Sequence, residues 1–354
     1  MVVGASSAKL MRLRAGIGQA GGCGARVGKG VASAGATTRA RDSAPGVGFA
    51  ALTSALHSGS SGSRLGSLLR KARPASSSTA LRAASSASSV DSVSERMAKL
   101  KEANTCALIP FIVAGDPDLE TTALALEALS EGGADVIELG VPYSDPLADG
   151  PTIQAAATRA LEEKHTTLDD VLAMLKKTSP KLKSPVVLFT YYNPILKKGI
   201  DAFCAMAKDA GAAGLLVPDL PLEETDAIRQ GCEKAGLENV LLVTPTTPKE
   251  RMSTIANASQ GFVYLVSLAG VTGTRTSVAG NVEGLLKDLQ SSTDKSVAVG
   301  FGVSSAEQAQ LIKSWGAEGV IVGSALVKQL GESGSPAEGL ANMKALLAEL
   351  RNAL

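Results

Sequence analysis

Glu138 is a carboxylate in an apolar setting. Its neighbours Val136, Ile137 and Leu139 form a run that reads as a strand buried on both faces. An acid held there is either paired with a Lys or Arg or keeps its proton, because burial disfavours the charged form. The second case gives a general acid–base group that works near neutral pH. Asp149 follows eleven positions later, at the end of a loop stiffened by Pro142 and Pro146 and freed at Gly150. Two readings of it stay open: a second carboxylate for the same chemistry, or a cap for the helix that opens at Pro151-Thr152. Asp145 is equally open to a plain role as a turn former before Pro146. Histidine is nearly absent. His57 lies near the N-terminus, and His165 sits between Lys164 and two threonines in a polar turn, where a solvated imidazole is expected. Ser-His-Asp and Cys-His chemistry is therefore set aside, and proton transfer falls to carboxylates, Tyr or Lys.

Glycines make a second cluster. They recur in Leu268-Ala-Gly-Val-Thr-Gly-Thr-Arg275, in Gly300-Phe-Gly302-Val and in Val322-Gly323-Ser324-Ala325, which opens into a helical pattern. Each segment follows a short apolar run. Glycine lets backbone N–H groups approach a phosphate, and a helix start adds favourable partial charge. Glycine turns without a ligand are the plainer alternative. Three such turns at consecutive strand ends favour a phosphate cup.

These residues need a scaffold, and the chain from Asp91 onward supplies a repeating one. Apolar runs at Ala107–Val113, Val136–Val141, Val186–Tyr191, Gly214–Val217, Val240–Val243, Phe262–Ser267, Ser296–Gly300 and Gly319–Val322 read as buried parallel strands. Amphipathic stretches alternate with them, around 120–131, 152–163, 171–177, 200–210, 223–235, 249–257, 282–289, 306–314 and 336–351. A short helix is expected to open the unit after Asp91. Eight strand–helix units predict an α/β fold, a (β/α)8 TIM barrel, with an open doubly wound sheet as the alternative. In a barrel the chemistry lies at the C-terminal strand ends, where both clusters fall.

Residues 1–90 are different. They hold twelve of the 35 Lys and Arg but one of the 34 acids, Asp42, among many Ala, Ser and Gly. Such a segment offers too little apolar surface to offset chain ordering. Its Arg- and Ser-rich, acid-poor character predicts a disordered organelle transit peptide over 1–90, ahead of a single catalytic domain over 91–354. The chloroplast is the favoured destination and the mitochondrion the alternative. The remaining 23 basic and 33 acidic residues give a net charge of −10. That balance argues against nucleic-acid or anionic-membrane binding. Cys23, Cys106, Cys204 and Cys232 are far apart in the chain, which argues against a disulfide framework or a zinc site, and no metal is expected.

Longer motifs add a family. Leu108-Ile-Pro-Phe-Ile-Val-Ala-Gly-Asp-Pro117 and the stretch from Glu138 to Gln154 closely resemble the signature of tryptophan synthase alpha subunits. Pro218-Asp-Leu-Pro221, Gly270-Val-Thr-Gly273, Gly300-Phe-Gly-Val303 and Val322-Gly-Ser324 follow in the same order. The resemblance runs from about Ser92 to the C-terminus. It implies a lyase that splits indole-3-glycerol phosphate into indole and glyceraldehyde 3-phosphate. It implies Glu138 as the catalytic glutamate and Asp149 as the aspartate that meets the indole N–H. Gly273, Gly302, Gly323 and Ser324 are the implied phosphate cradle. Phe111, Tyr191, Tyr264, Phe301 and Ile153 are implied walls, and Thr272 a loop residue that closes near Asp149. Asp219 is implied in closure and signalling, and Asp145-Pro146 in contact with a beta subunit in an alpha2-beta2 complex. No cofactor is implied for this chain, since pyridoxal phosphate belongs to the beta subunit. After Gly273 the sequence Thr-Arg-Thr-Ser departs from the enteric bacterial pattern and resembles plant and cyanobacterial relatives.

Three other functions compete: a free-standing lyase that releases indole, a non-catalytic partner that keeps the fold, and a sugar-phosphate isomerase on the same barrel. Intact Glu138 and Asp149 argue against the second, and the loop between them against the third.

Overall fold

Alternation within each strand decides which side chains reach the barrel interior. The computed structural model describes residues 90–267, 275–300 and 302–354. Its strands β1 (Ala107–Val113), β2 (Ile137–Gly140), β3 (Val186–Phe189), β4 (Gly214–Leu216), β5 (Glu238–Val243), β6 (Val263–Val266), β7 (Val297–Gly300) and β8 (Gly319–Val322) pair in parallel and close in sequence order. Pairing of β1 with β8 seals the barrel, so the open-sheet alternative is excluded. All seven residues of β1 are buried, yet they split between two cores. Ala107, Ile109, Phe111 and Val113 pack inside, while Leu108 and Ile112 pack outward against the helices. Ile137 and Leu139 of β2 also belong to the outer core. Glu138 between them therefore faces the interior.

Helix α1 (Val93–Glu102) closes the base. Ser92 and Glu95 form a capping box, and Val93 and Met97 enter the inner core. The outer layer contains α2 (Leu119–Glu131), α4 (Leu168–Thr178), α6 (Ile200–Asp209), α7 (Asp226–Ala235), α8 (Lys249–Ala258), α9 (Arg275–Gln290), α10 (Ala306–Ser314) and α12 (Pro336–Ala353). Three further pieces serve the rim: α3 (Pro151–Thr158), α5 (Tyr192–Lys198) and α11 (Ser324–Gly331).

Several boundaries differ from expectation for physical reasons. The helix expected over 152–163 is two pieces: α3 gives way to a π-helical turn, Arg159–Glu163, whose Arg159 binds Asp116 with two 2.8 Å bonds. The stretch 223–235 begins as a 3-10 turn, Leu222–Glu224, before α7. Strand β5 starts two residues early, at polar Glu238 and Asn239. Partners from elsewhere explain this: the Ser94 amide donates to Glu238, and the Asn239 amide donates to Gln260. Helix α5 has no sequence counterpart above. It is short, has Pro194 in its first turn and lacks a side-chain cap of its own. Its first amide, of Tyr192, donates instead to Asp219 beyond β4.

Among the described residues no helix is long and apolar enough to cross a membrane, and no cluster of His, Cys, Asp and Glu could hold a metal ion. Cys106, Cys204 and Cys232 are buried free thiols. The expected leader lies outside the described residues, apart from Val90.

Candidate active site

The C-terminal rim opens onto a cavity of about 590 Å³. Its lining unites residues far apart in sequence: Phe111, Glu138, Asp149, Tyr264, Gly302 and Ser324. Ile153 and Gly323 complete the expected set in this wall, and Tyr191 reaches the cavity through its bond to Asp149. The carboxylate cluster and the glycine cluster thus face one space.

Glu138 is 1% exposed, and its Oε1 has no hydrogen-bond partner among the described residues. No described Lys or Arg forms an ion pair with it, which favours the proton-keeping reading over the paired one. Burial alone pushes its pKa up to about 8. Burial thus favours the protonated carboxyl inside the barrel mouth.

Asp149 ends the loop that leaves β2. Its amide donates to the Pro146 carbonyl at 3.1 Å, and its own carbonyl accepts from Gln154 at 2.8 Å. The helix cap is Gly150, with no side-chain cap bond, so Asp149 does not cap α3. Its carboxylate accepts from the Tyr191 hydroxyl at 2.9 Å. Burial raises the Asp149 pKa to about 6, against the opposing effect of that hydrogen bond. Burial thus raises both carboxyls, Glu138 further than Asp149, so their environments push the two titrations apart.

Opposite them, Gly302 adopts a left-handed φ of +85° that few side chains tolerate. Gly323 precedes α11 and gives it no side-chain cap. A Cβ there would come to 3.4 Å from the Phe111 ring. The uncapped amides at the start of α11 suit an anionic group. The aromatic wall is built by packing: Phe111 meets Phe189 edge-on at 5.3 Å. Tyr264 lies against Gly300, where a Cβ would stand 2.2 Å from its hydroxyl. Burial and the nearby charges of Glu138 and Asp149 hold the Tyr264 hydroxyl in its neutral form.

Other expected residues lie off the cavity. Asp145 is exposed and accepts from the Ser144 hydroxyl, and the Pro146 carbonyl is tied up within the loop, as for a turn. Asp219 is exposed and caps α5. Thr272, Gly273 and Phe301 lie outside the described residues. His165 is exposed in its turn, as read. Sequence reasoning missed Phe189, Pro218, Leu242 and Thr244, which also line the cavity. Their signal was positional: each lies within two residues of the C-terminal end of a strand.

A closed parallel barrel with a C-terminal rim cavity lined by two acids defines a class, the (β/α)8 barrels with their site at the strand ends. The family model described as tryptophan synthase alpha chain matches residues 97–354, and the chain belongs to that family, the lyases of tryptophan biosynthesis that cleave indole-3-glycerol phosphate. A tryptophan synthase alpha chain from Picosynechococcus sp. is 59% identical over 263 residues, covering 74% of this chain and 99% of the relative. One from Arabidopsis thaliana is 55% identical over 267 residues, covering 75% and 97%. The structure of a tryptophan synthase complex from Pyrococcus furiosus contains a chain 40% identical, with a TM-score of 0.63, covering 70% of this chain and 98% of that one.

Proposed function

We propose that Glu138 carries the proton traffic of this lyase and that Asp149 serves the indole nitrogen. Cleavage breaks the bond between indole C3 and the hydroxyl-bearing glycerol carbon. Glu138 enters protonated and gives its proton to C3, so that the ring nitrogen becomes an iminium. The resulting carboxylate takes the hydroxyl proton. The carbon–carbon pair then returns to the ring, and the glycerol carbon becomes an aldehyde. Glu138 leaves as it entered. Asp149, ionised, stabilises positive charge at the ring nitrogen. The α11 start, with Gly302 and Gly323, holds the phosphate and keeps the glycerol arm still. The family resemblance assigns Gly273 to the same cup, Phe301 to the wall and Thr272 to a closing role, all three lying outside the described residues. Every step uses carboxyl groups of this chain.

The observation that carries this reading is Glu138 itself: an inward, buried acid, its Oε1 without a partner among the described residues, lining the same cavity as the phosphate-type glycines. Two pKa values bracket the working range. Asp149 must lose its proton, so kcat/KM rises through about pH 6, and Glu138 must keep its own, so kcat/KM falls through about pH 8. A profile with no fall on the alkaline side removes Glu138 as the acid.

The family, and the solved tryptophan synthase complex of the Pyrococcus relative, support a partnership with a beta subunit that supplies pyridoxal phosphate. The loop from Pro142 to Asp149 is its docking point. Leu147 beside Asp145-Pro146 is 91% exposed, an apolar knob with no cover among the described residues. Indole release by the chain from about Ser92, assayed with and without a beta subunit, tests this. Low activity that rises on adding beta supports a synthase subunit, and full activity alone supports the free-standing lyase. The leader over 1–90 directs the chain to a plastid, a reading supported by its composition and the plant relative.

A further inference from the structure

The family resemblance implies Tyr191 as a cavity wall, but the geometry gives its hydroxyl two partners. It accepts from the Ala148 amide at 3.0 Å and donates to Asp149 Oδ2 at 2.9 Å. A phenol has one proton, and with the amide as donor that proton points to the carboxylate. The Tyr191 ring is buried and stacks on Tyr143, with centroids 4.9 Å apart and planes at 27°. Tyr143 in turn accepts from Asn193 at 3.2 Å. Tyr143 starts the loop and Ala148-Asp149 ends it, so both ends are held on one side chain. The next residue, Tyr192, is fixed through its amide by Asp219.

We infer that Tyr191 is a positioning residue for Asp149, holding Oδ2 in place so that Oδ1 is the oxygen presented to a ring N–H in the cavity. The inference rests on the role proposed above for Asp149. Burial, with the charges of Asp149 and Asp219, pushes the Tyr191 pKa up, so the hydroxyl stays a donor throughout the working range. Its bond favours the ionised form of Asp149 against the burial that opposes it. The other titratable groups of the cavity are Glu138 and Tyr264, and no described Lys or Arg forms an ion pair with Asp149.

The test is a mutant cycle on the full chain with indole-3-glycerol phosphate: Tyr191→Phe, Asp149→Asn and the double variant. Tyr191→Phe should lower kcat about tenfold, the effect of losing a hydrogen bond to a charged group, with KM changed by less than about threefold. The acidic limb of kcat/KM should move up by about 0.5 pH unit or more, because the ionised form of Asp149 loses its donor. The double variant should be no slower than Asp149→Asn alone, since Tyr191 acts through Asp149. Additive losses, or an unmoved acidic limb, overturn the inference while leaving Asp149 in its role. Wild-type turnover by Asp149→Asn removes that role and this inference with it.

Discussion

Acids at the two ends of the barrel differ in the partners they have. At the base, Asp135 accepts from the Leu108 amide at 2.9 Å and from Arg351 at 2.8 Å. Glu318 accepts from the Val297 amide and from Gln290, each at 3.0 Å, and Glu238 from the Ser94 amide at 3.0 Å. In the cavity at the rim, Glu138 has an oxygen with no described partner and Asp149 has one hydroxyl. Depth is not the variable. Asp116, beyond β1 at the same rim, is 2% exposed and clamped twice by Arg159, but it does not line the cavity. The base acids complete the fold. The cavity acids are left with open valence for a ligand, at a cost in folding stability.

That contrast breaks most sharply at Glu138. Glu138→Gln keeps shape and burial but carries no proton to give, so turnover should fall by roughly 10²–10⁴. Stability should move the other way. The folded pKa of about 8 lies above the unfolded value near 4.3, so the native state holds the proton more tightly. The stabilising effect of that proton is complete below about pH 4 and fades as pH rises through 8. Glutamine has no such loss. Melting of both proteins at pH 5 and pH 9 should therefore show the variant gaining on wild type, by on the order of 3 kcal/mol at pH 9. A gap that stays constant with pH would mean that the carboxyl is solvated after all.

Legibility in the sequence follows the same division. The barrel could be read because its strands are continuous apolar runs, and β1 and β8 fall within the bounds read from sequence. Glu138 could be read because it is the one charge in such a run. Polar caps supplied from a distance could not. Glu238 and Asn239 look unlike strand residues until Ser94 and Gln260 satisfy them. Tyr192–Lys198 looks unlike a helix until Asp219 takes its first amide. Tyr191 was legible as an aromatic wall but not as a donor, since its partner stands 42 positions away in the chain. Pairings of this kind are properties of the closed barrel, not of any local window.

The base half of the comparison sharpens with Asp135→Ala. The substitution leaves the Leu108 amide and Arg351 without their shared acceptor in a largely buried setting. The expected cost is about 2 kcal/mol of unfolding free energy, read as a lower urea midpoint at unchanged slope. Turnover at 25 °C should stay within about twofold of wild type, because no catalytic group is touched. A fall in kcat without loss of stability would show that the base and rim are coupled, and the contrast drawn here would fail.

The smallest effect concerns the outer surface of the rim. Leu147, at 91% exposure, and Leu124 on α2, at 49%, are both large apolar side chains in contact with water. Only Leu147 stands on the loop that ends in Asp149, beside the turn at Asp145-Pro146. A scattered exposed leucine needs no explanation, but one at the tip of a proline-stiffened loop beside the cavity suits a partner pocket. Leu147→Ser should weaken binding to the beta subunit by about five- to twentyfold, the effect of losing one apolar anchor. Leu124→Ser should leave that affinity unchanged. Sedimentation or calorimetric titration with beta subunit separates the two, and equal affinities for both variants would take the docking point away from this loop.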